Sequence, residues 1–293
     1  MKVEANGREH EVADGLTLAA FLRELDLDPR YVVVERNGEI VPRGDAEEIA
    51  LADGDRLVLV RAVAGGAEEI GAFPSLSAAG ERRMARLQDA RVYVVTDGRR
   101  ERGDLEAFLT AICEASVDIV QLRDKSATED ELRAAADTFR RVCDRTGTLF
   151  ILNDFPGLAV QVGADGVHVG QEDVHPDHAR RVVGPDLIIG RSTHGPDQLD
   201  AAADEDVDYV AVGPVHPTPT KEGRPAIGIE PIRYAARRSS HPWFAIGGLD
   251  PTTLPDVLEA GARRVVVVRF VCDADDPAEA CWTLRKAVGA YHL

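Results

Sequence analysis

Residues 119–152 read IVQLRDKSATEDELRAAADTFRRVCDRTGTLFIL, and they contain one complete strand, helix and strand. The apolar runs at 119–122 and 148–152 have the length and composition of buried strands. Between them, Thr128 and Glu131 form the pattern of a capping box, and apolar residues then recur at helical spacing. Two buried strands joined by a helix predict a parallel pair.

The same unit recurs through the second two-thirds of the chain. Eight apolar runs are predicted as strands, at residues 92–96, 119–122, 148–152, 166–169, 187–191, 209–212, 243–246 and 265–268. Helical patterns separate them, and Asp250-Pro251 and Asp276-Pro277 predict two of the helix starts. Eight repeats in about 205 residues predict a (β/α)8 TIM barrel over residues 89–293. A doubly wound open sheet is the alternative, although no G-x-G-x-x-G follows the first strand.

The first 66 residues have a different pattern. A hairpin at Asn6-Gly7 is followed by a helix that Thr17 caps and by later strands, the last at residues 56–63. A hairpin, a helix and further strands predict a small α+β domain of the β-grasp type over residues 1–66. Residues 67–88 contain Gly, Pro and Ser and are predicted to form a linker with a helical turn.

Composition limits the classes of function. The chain has 293 residues and a formal net charge of −17, which argues against nucleic acid or an anionic membrane as a partner. No apolar run approaches the roughly 20 residues of a membrane span, and no signal peptide begins the chain. Its four cysteines form no C-x-x-C pair and lie in apolar segments. They predict buried, reduced thiols in a cytoplasmic protein.

Polar side chains follow most of the predicted barrel strands, where barrel enzymes have their active sites. Arg123, Lys125 and Lys221 are cations suited to a multiply charged phosphate. Asp154 and Asp173 have two interpretations from spacing alone. They predict either ligands of Mg²⁺, which favours one or two carboxylates with phosphate oxygens, or caps of the helices that follow.

Three further positions stay open from the residues alone. Gly247-Gly248 predicts either a phosphate-binding turn before a helix or a tight turn without a ligand. His168, alone in an apolar strand, is typical of a core histidine. Ser192 has a histidine two residues later but no acidic residue placed to complete a nucleophilic triad.

Taken together, these segments resemble thiamine-phosphate synthases. The residues that carry the resemblance are QLRDK at 121–125, ND at 153–154, ADGVHVGQED at 164–173, GRS at 190–192, GPVHPTPTK at 213–221 and AIGG at 245–248. The resemblance implies a TIM-barrel transferase that depends on Mg²⁺. Such an enzyme joins 4-amino-5-hydroxymethyl-2-methylpyrimidine diphosphate to hydroxyethylthiazole phosphate, giving thiamine phosphate and diphosphate.

The resemblance also implies a role for each matching residue. Gln121 and His168 would contact the aminopyrimidine, and Asp154 and Asp173 would bind Mg²⁺. The diphosphate would be surrounded by Arg123, Lys125, Asn153, Ser192 and Lys221, four of which (all but Asn153) would be catalytic. The thiazole phosphate would be held by Thr218, Thr220 and the backbone of Gly247 and Gly248. Arg269 stands where the family usually has a serine beside this phosphate.

Residues 1–66 resemble the small ubiquitin-like sulfur-carrier protein of thiazole synthesis. NGEIVPR at 37–43, DGD at 53–55 and the pair Gly65-Gly66 carry this resemblance. It implies a thiocarboxylate at the diglycine and two protein partners, an adenylyltransferase and a thiazole synthase. Since 227 residues follow Gly66, a free carboxylate there requires cleavage of the chain. In the alternative, the fusion stays uncut and the small domain is a docking module or a retained appendage.

Two other functions remain open for the barrel. One is a different phosphate-handling isomerase or aldolase, in which Lys221 would form a Schiff base that borohydride traps. The other is a sensor of thiamine precursors that catalyses no reaction, which an assay of turnover would distinguish.

Overall fold

The computed structural model describes residues 1–5, 8–25, 27, 32–37, 39–41, 45–47, 49–63, 66–69, 76–218 and 225–290. The chain divides into two compact units, Met1–Ser75 and Leu76–Leu293. Within the described part, no helix is both long enough and apolar enough to span a bilayer.

The first unit is a mixed sheet with one helix packed on it. Its elements are β1 Lys2–Ala5, β2 Arg8–Glu11, α1 Leu18–Glu24, β3 Val32–Arg36, β4 Glu39–Val41, β5 Arg56–Val63 and β6 Gly66–Glu69. The strand order is β2-β1-β5-β3-β4, with β6 also paired to β5. Strands β1 and β5 are parallel, and the helix buries Leu18, Phe21 and Leu22 in the core of the unit. This arrangement confirms the predicted β-grasp fold.

The residues that suggested a sulfur carrier connect strands in this unit. Asn37 has a positive φ of 55° and donates from its amide to Asp55 at 2.8 Å. Asp55 is buried, forms an ion pair with Arg36 at 2.6 Å and accepts from the backbone of Ala52. These contacts join the end of β3 to the start of β5. Asn6, Gly7 and Gly65 lie outside the described residues, whereas Gly66 begins β6.

The second unit begins with α2 Ala78–Asp89 and then forms a closed barrel. Its strands are β7 Val92–Thr96, β8 Ile119–Leu122, β9 Leu149–Asn153, β10 Gly166–Val169, β11 Ile188–Thr193, β12 Tyr209–Val212, β13 Trp243–Ile246 and β14 Val265–Val267. All neighbouring strands are parallel, and β14 closes on β7. The predicted TIM barrel is therefore confirmed, and the open sheet is excluded.

Helices alternate with these strands around the outside. They are α3 Leu105–Glu114, α4 Glu129–Thr146, α5 Pro156–Gln161, α6 Pro176–Val183, α7 Pro196–Ala202, α8 Glu230–Arg238, α9 Leu254–Glu259, α10 Arg269–Cys272 and α11 Pro277–Ala290. The capping box of Thr128 and Glu131 is present at the start of α4. Asp276 caps α11, with its carboxylate accepting the backbone N–H of Glu279 at 3.0 Å.

The strands are apolar on both faces because both faces are buried. Alternate residues such as Val94, Val120 and Phe150 pack outward against the helices. The residues between them, including Ile119 and Ile151, fill the inside of the barrel. Burial on two sides removes the alternation of polar and apolar residues, which explains the continuous apolar runs in the sequence.

Helix α2 lies within the segment predicted as a linker. Its Arg83 pairs at 2.9 Å with Asp165, the residue before β10, and Leu87 packs with the residues inside the barrel. Ser77, which caps the helix, also bonds Asp186 shortly before β11. Helix α2 therefore lies against the amino-terminal end of the barrel, opposite the strand ends that carry the predicted site.

Candidate active site

A cavity of about 770 Å³ opens at the carboxyl ends of the barrel strands. Every strand contributes an inward-facing residue to its wall: Val95, Gln121, Asn153, His168, Ser192, Ala211, Ile246 and Val266. The loops after the strands add further predicted site residues: Arg123, Lys125, Asp154, Asp173, Thr218, Gly247 and Gly248. The predicted residues Thr220 and Lys221 lie outside the described part of the chain.

Two carboxylates and two cations meet on one side of this cavity. The pKa of Asp154 is raised to about 6, first because the carboxyl is buried and then because the carboxylate of Asp173 lies beside it. The positive charges of Lys125 and Arg123 act in the opposite direction. Neither cation forms an ion pair with any other residue that the structure describes. The arrangement is therefore an acidic pair with basic side chains close by and open to a ligand.

The predicted alternative, that these two aspartates cap helices, is not what the structure shows. Helix α5 follows Asp154, but its N-cap is Phe155 and has no side-chain hydrogen bond. Helix α6 is capped by His175, which accepts from the backbone of Asp177. Asp173 instead turns back on its own loop, where its Oδ2 accepts from the N–H of Gly170 at 2.8 Å.

The acidic pair fits Mg²⁺ better than a metal held by protein alone. Within the described ranges, no three His, Cys, Asp or Glu side chains group closely enough to hold a metal ion. Mg²⁺ is commonly held by one or two carboxylates, with substrate phosphates and water as its other ligands. Two adjacent carboxylates, with Arg123 and Lys125 nearby to accommodate phosphate, match that donor set.

A continuous run of hydrogen bonds crosses the interior of the barrel below the cavity. Gln121 Nε2 donates to the hydroxyl of Tyr93 at 2.6 Å, and this hydroxyl lies 2.9 Å from that of Tyr209. The Tyr209 hydroxyl lies 3.0 Å from Nδ1 of His168, whose Nε2 lies 2.9 Å from Ser192 Oγ. Gln121, His168 and Ser192 were predicted from sequence, and the two tyrosines were missed. The sequence did contain a signal for them, because each tyrosine places a hydroxyl group at an inward-facing position of an otherwise aliphatic strand.

The large ring of Tyr209 depends on the small residue opposite. A Cβ on Gly190 would lie 2.1 Å from the Tyr209 ring, which is closer than any real contact. The glycine of the GRS motif therefore makes room for a buried tyrosine. Ser192, at the other end of the motif, faces the cavity.

Ser192 and His168 do not form a nucleophilic triad. The second ring nitrogen of His168 lies against the hydroxyl of Tyr209, at the place where a triad has an orienting carboxylate. His194, two residues after the serine, bonds the backbone oxygen of Gly213.

Gly247 and Gly248 form a close turn against the loop after β12. Both have positive φ, 106° and 64°, and a Cβ on Gly247 would lie 2.4 Å from Cα of Pro214. The helix start predicted at Asp250-Pro251 is wrong, since α9 begins at Leu254. The carboxylate of Asp250 accepts the N–H groups of Thr252 and Thr253 at 2.8 and 3.1 Å. Those two donors are therefore occupied, and Asp250 and Thr253 line the cavity together with the turn.

Arg269 and Phe270 follow β14 and also line the cavity. The guanidinium of Arg269 is exposed, and no ion pair joins it to the part of the chain that the structure describes. Arg269, which stands where the family usually has a serine, therefore adds a positive charge to the cavity wall.

Comparisons with known proteins agree with this geometry. Residues 92–271 match the family model described as thiamine monophosphate synthase. The chain belongs to this family. Residues 2–66 match the model of the ThiS family. The predicted family, fold and place in thiamine biosynthesis are confirmed, and neither the isomerase or aldolase alternative nor the sensor alternative gains support.

Several curated relatives are thiamine-phosphate synthases. The protein of Acidothermus cellulolyticus is 51% identical over 198 residues, which cover 67% of this chain and 93% of the relative. That of Saccharopolyspora erythraea is 46% identical over 225 residues, covering 74% of this chain and all of the relative.

Two solved structures extend the comparison. Thiamine phosphate pyrophosphorylase from Pyrococcus furiosus is 29% identical, with a TM-score of 0.64 over 73% of this chain and 100% of that one. The corresponding protein of Bacteroides thetaiotaomicron has a TM-score of 0.53 at 17% identity, over 70% of this chain and 100% of that one, and shows the fold alone.

Proposed function

We propose that this cavity joins 4-amino-5-hydroxymethyl-2-methylpyrimidine diphosphate to hydroxyethylthiazole phosphate. The products are thiamine phosphate and diphosphate. The observation that carries the proposal is the meeting of Arg123 and Lys125 with the acidic pair Asp154 and Asp173 at the mouth of a family-matching barrel. A diphosphate with bound Mg²⁺ has the charge distribution that this arrangement complements.

The pyrimidine ring would occupy the inner part of the cavity. Gln121 offers a polar atom there, and Val95 and Val266 provide an apolar floor. His168 lines the same region, with both ring nitrogens bonded to Tyr209 and Ser192. A flat heteroaromatic ring with an amino group suits such a pocket, in which a few polar groups fix orientation and apolar groups exclude water.

The diphosphate would lie nearer the mouth. Arg123, Lys125, Asn153 and Ser192 face this region, and Lys221 belongs to the same set in our proposal although it lies outside the described residues. Asp154 and Asp173 would hold Mg²⁺, which when bound would neutralise part of the leaving group's charge.

The reaction requires the protein to supply positive charge near the leaving diphosphate and to align the two substrates. The thiazole nitrogen forms a bond to the pyrimidine methylene as the carbon–oxygen bond to diphosphate breaks, and the electron pair leaves with that oxygen. The ring amino group donates electron density toward the methylene, so the transition state is loose and cationic. Cations fixed where the leaving group gains charge stabilise it, and holding both substrates in line supplies proximity. No strong base is required.

The second substrate would bind by its phosphate. Thr218 and the turn at Gly247 and Gly248 line that side of the cavity, and Thr220 is assigned to the same group from sequence. Arg269 lies on the same wall and adds positive charge.

We predict that Arg269→Ala raises the KM for the thiazole phosphate about three- to fivefold, the effect of one exposed charge contact. The KM for the pyrimidine diphosphate should stay constant, because Arg123 and Lys125 serve that substrate. Steady-state kinetics with each substrate varied in turn gives both values. A lower KM for the thiazole phosphate would show instead that Arg269 crowds the site.

The function is tested directly with purified protein, both substrates and Mg²⁺. We expect thiamine phosphate and diphosphate to appear in equal amounts. Absence of both products would reject the proposal. Inactivation by borohydride in the presence of a phosphorylated aldehyde would favour an aldolase with a Schiff-base lysine.

For residues 1–66 we propose the sulfur-carrier role. The match to the ThiS family and the β-grasp fold support it, and its protein partners would be an adenylyltransferase and a thiazole synthase. In this chain Gly66 is the first residue of β6, which pairs with β5 in the register Val63↔Gly66. A thiocarboxylate at Gly66 therefore requires both a break in the chain and release of its end from β5.

If the carrier role operates, we predict cleavage after Gly66 in the native host. The expected species are a fragment that ends at Gly66 and a barrel that begins at Ala67. Intact-mass measurement of protein purified from that host distinguishes them from the fused chain. A single full-length species without thiocarboxylate would contradict the carrier role and favour a docking or retained domain.

The proposal includes a cytoplasmic location. Cys113, Cys143, Cys272 and Cys281 are all free and buried, as the sequence predicted. Thiols remain reduced in the cytosol, so this state suits that compartment.

A further inference from the structure

Five polar groups form one chain of hydrogen bonds between the two ends of the pyrimidine substrate. It runs from Gln121 through Tyr93, Tyr209 and His168 to Ser192, with successive distances of 2.6, 2.9, 3.0 and 2.9 Å. In the function proposed above, on which this inference rests, Gln121 contacts the ring and Ser192 contacts the diphosphate. The chain therefore connects two separate recognition points through the barrel interior.

The hydrogen bonds of this chain can run in either of two directions, because each hydroxyl group has a single hydrogen to donate. In the direction that begins with Gln121 donating to Tyr93, Tyr93 donates to Tyr209 and Tyr209 donates to Nδ1 of His168. In this direction His168 carries its proton on Nε2 and donates it to Ser192. Burial raises the pKa of both tyrosine hydroxyls, so each keeps its proton at neutral pH.

This direction fixes what each end offers to the cavity. Gln121 uses its amide nitrogen on Tyr93, which leaves its carbonyl oxygen, without a partner among the described residues, as an acceptor. Ser192 accepts from His168, which leaves its own hydrogen as a donor. An acceptor suits an amino group, and a donor suits a phosphate oxygen. The reverse direction would present an NH₂ group at Gln121 and lone pairs at Ser192, which would repel both.

We propose that Tyr93 and Tyr209 are positioning residues that link diphosphate binding to recognition of the ring amino group. A phosphate oxygen that accepts from Ser192 selects one direction of the chain. That direction makes Gln121 an acceptor, and an acceptor discriminates the 4-amino pyrimidine from its 4-oxo analogue.

Packing holds both tyrosine hydroxyls in place. The rings of Tyr93 and Tyr209 are each about 1% exposed or less and contact Phe244 edge to face, at centroid distances of 5.6 and 5.5 Å. Gly190 leaves the space that the Tyr209 ring fills. Rigid neighbours of this kind keep a hydrogen-bonded group in the geometry that its function needs.

Tyr209→Phe tests the link, because it keeps the ring and removes one hydroxyl. We compare kcat/KM for the amino and oxo pyrimidine diphosphates in the wild type and the variant. The preference for the amino substrate should fall at least about tenfold, since buried hydrogen-bonding groups carry such discrimination. Inorganic diphosphate binds Arg123 and Lys125 in the proposed function, so its inhibition constant should change by less than about threefold.

Tyr234→Phe is the matched control, because its hydroxyl bonds Asp200 outside the barrel, and it should leave the preference unchanged.

An unchanged preference in an active, folded Tyr209→Phe protein would overturn the link. If that variant does not fold, Tyr93→Phe takes its place in the same comparison. Nitrogen-15 NMR of the wild type adds a measurement without any variant. We expect His168 to be the Nε2–H tautomer with inorganic diphosphate bound, and the Nδ1–H tautomer would also overturn the proposal. Absence of turnover by the wild type with the amino substrate would instead reject the proposed function itself.

Discussion

Asp154→Asn is expected to lower kcat/KM at least about a hundredfold, because the Mg²⁺ that we propose Asp154 holds would contribute several kcal/mol by neutralising the leaving diphosphate. The substitution keeps the shape of the side chain and removes its charge. It should not lower the free energy of unfolding at pH 7, since the carboxylate is held beside Asp173 and caps no helix. Titration calorimetry with Mg²⁺ and inorganic diphosphate, together with urea denaturation, measures both effects.

Asp137→Asn is the matched control, since Asp137 is exposed on α4 away from the cavity. Its activity should remain within about twofold of the wild type, as for most surface substitutions. Full activity of wild-type protein in excess chelator would contradict the metal role. A loss of stability in Asp154→Asn without a loss of turnover would show a structural role instead.

The raised pKa of Asp154 adds a pH dependence to Mg²⁺ binding. With a pKa of about 6, the carboxyl is mostly protonated at pH 5 and mostly ionised at pH 7. Because Mg²⁺ competes with that proton, its apparent affinity should be about tenfold weaker at pH 5. Without metal, the contribution of Asp154 to the stability of the folded state changes with pH in the opposite direction to the Mg²⁺ affinity. The folded state holds this proton more tightly than the unfolded state, so the group's contribution to stability declines as pH rises from about 4 through 6.

Arg123→Ala and Lys221→Ala should each lower kcat/KM at least tenfold while the protein remains folded. A hydrogen bond to a charged group contributes about 1.5–3 kcal/mol, which corresponds to about a 10- to 100-fold effect on rate. The effect should appear mainly in kcat where the cation binds the charge that develops on the leaving diphosphate. Measurement of kcat and KM for the pyrimidine diphosphate separates this from a loss of ground-state binding.

Two controls match these substitutions in chemistry. Arg133 on α4 pairs with Glu129, and Lys286 lies exposed on α11. Arg133→Ala and Lys286→Ala remove the same charges away from the cavity and should leave activity within about twofold. Near-wild-type rates in both Arg123→Ala and Lys221→Ala would reject the assignment of the diphosphate to this side of the cavity.

Much of the barrel could be predicted because its signals are local. The capping box at Thr128, the proline after Asp276 and each apolar strand run lie within a few residues of one another. The predicted strand ends then located the cavity, since all parallel strands of a barrel end on the same side. The predicted start of α9 was wrong because an Asp-Pro pair can begin either a turn or a helix. Here Asp250 accepts N–H groups of a turn, and the helix begins afterwards at Leu254.

The sequence by itself determined the two folds, the strand ends and the family, because hydrophobic periodicity and short motifs act over short stretches of chain. Only the tertiary structure decided how the site residues are connected. Tyr93 and Tyr209 are 116 residues apart and bond each other only when β7 and β12 face each other across a closed barrel. Asp154 and Asp173 likewise meet only because their loops follow neighbouring strands. Such contacts depend on barrel closure and side-chain direction, which no local pattern records.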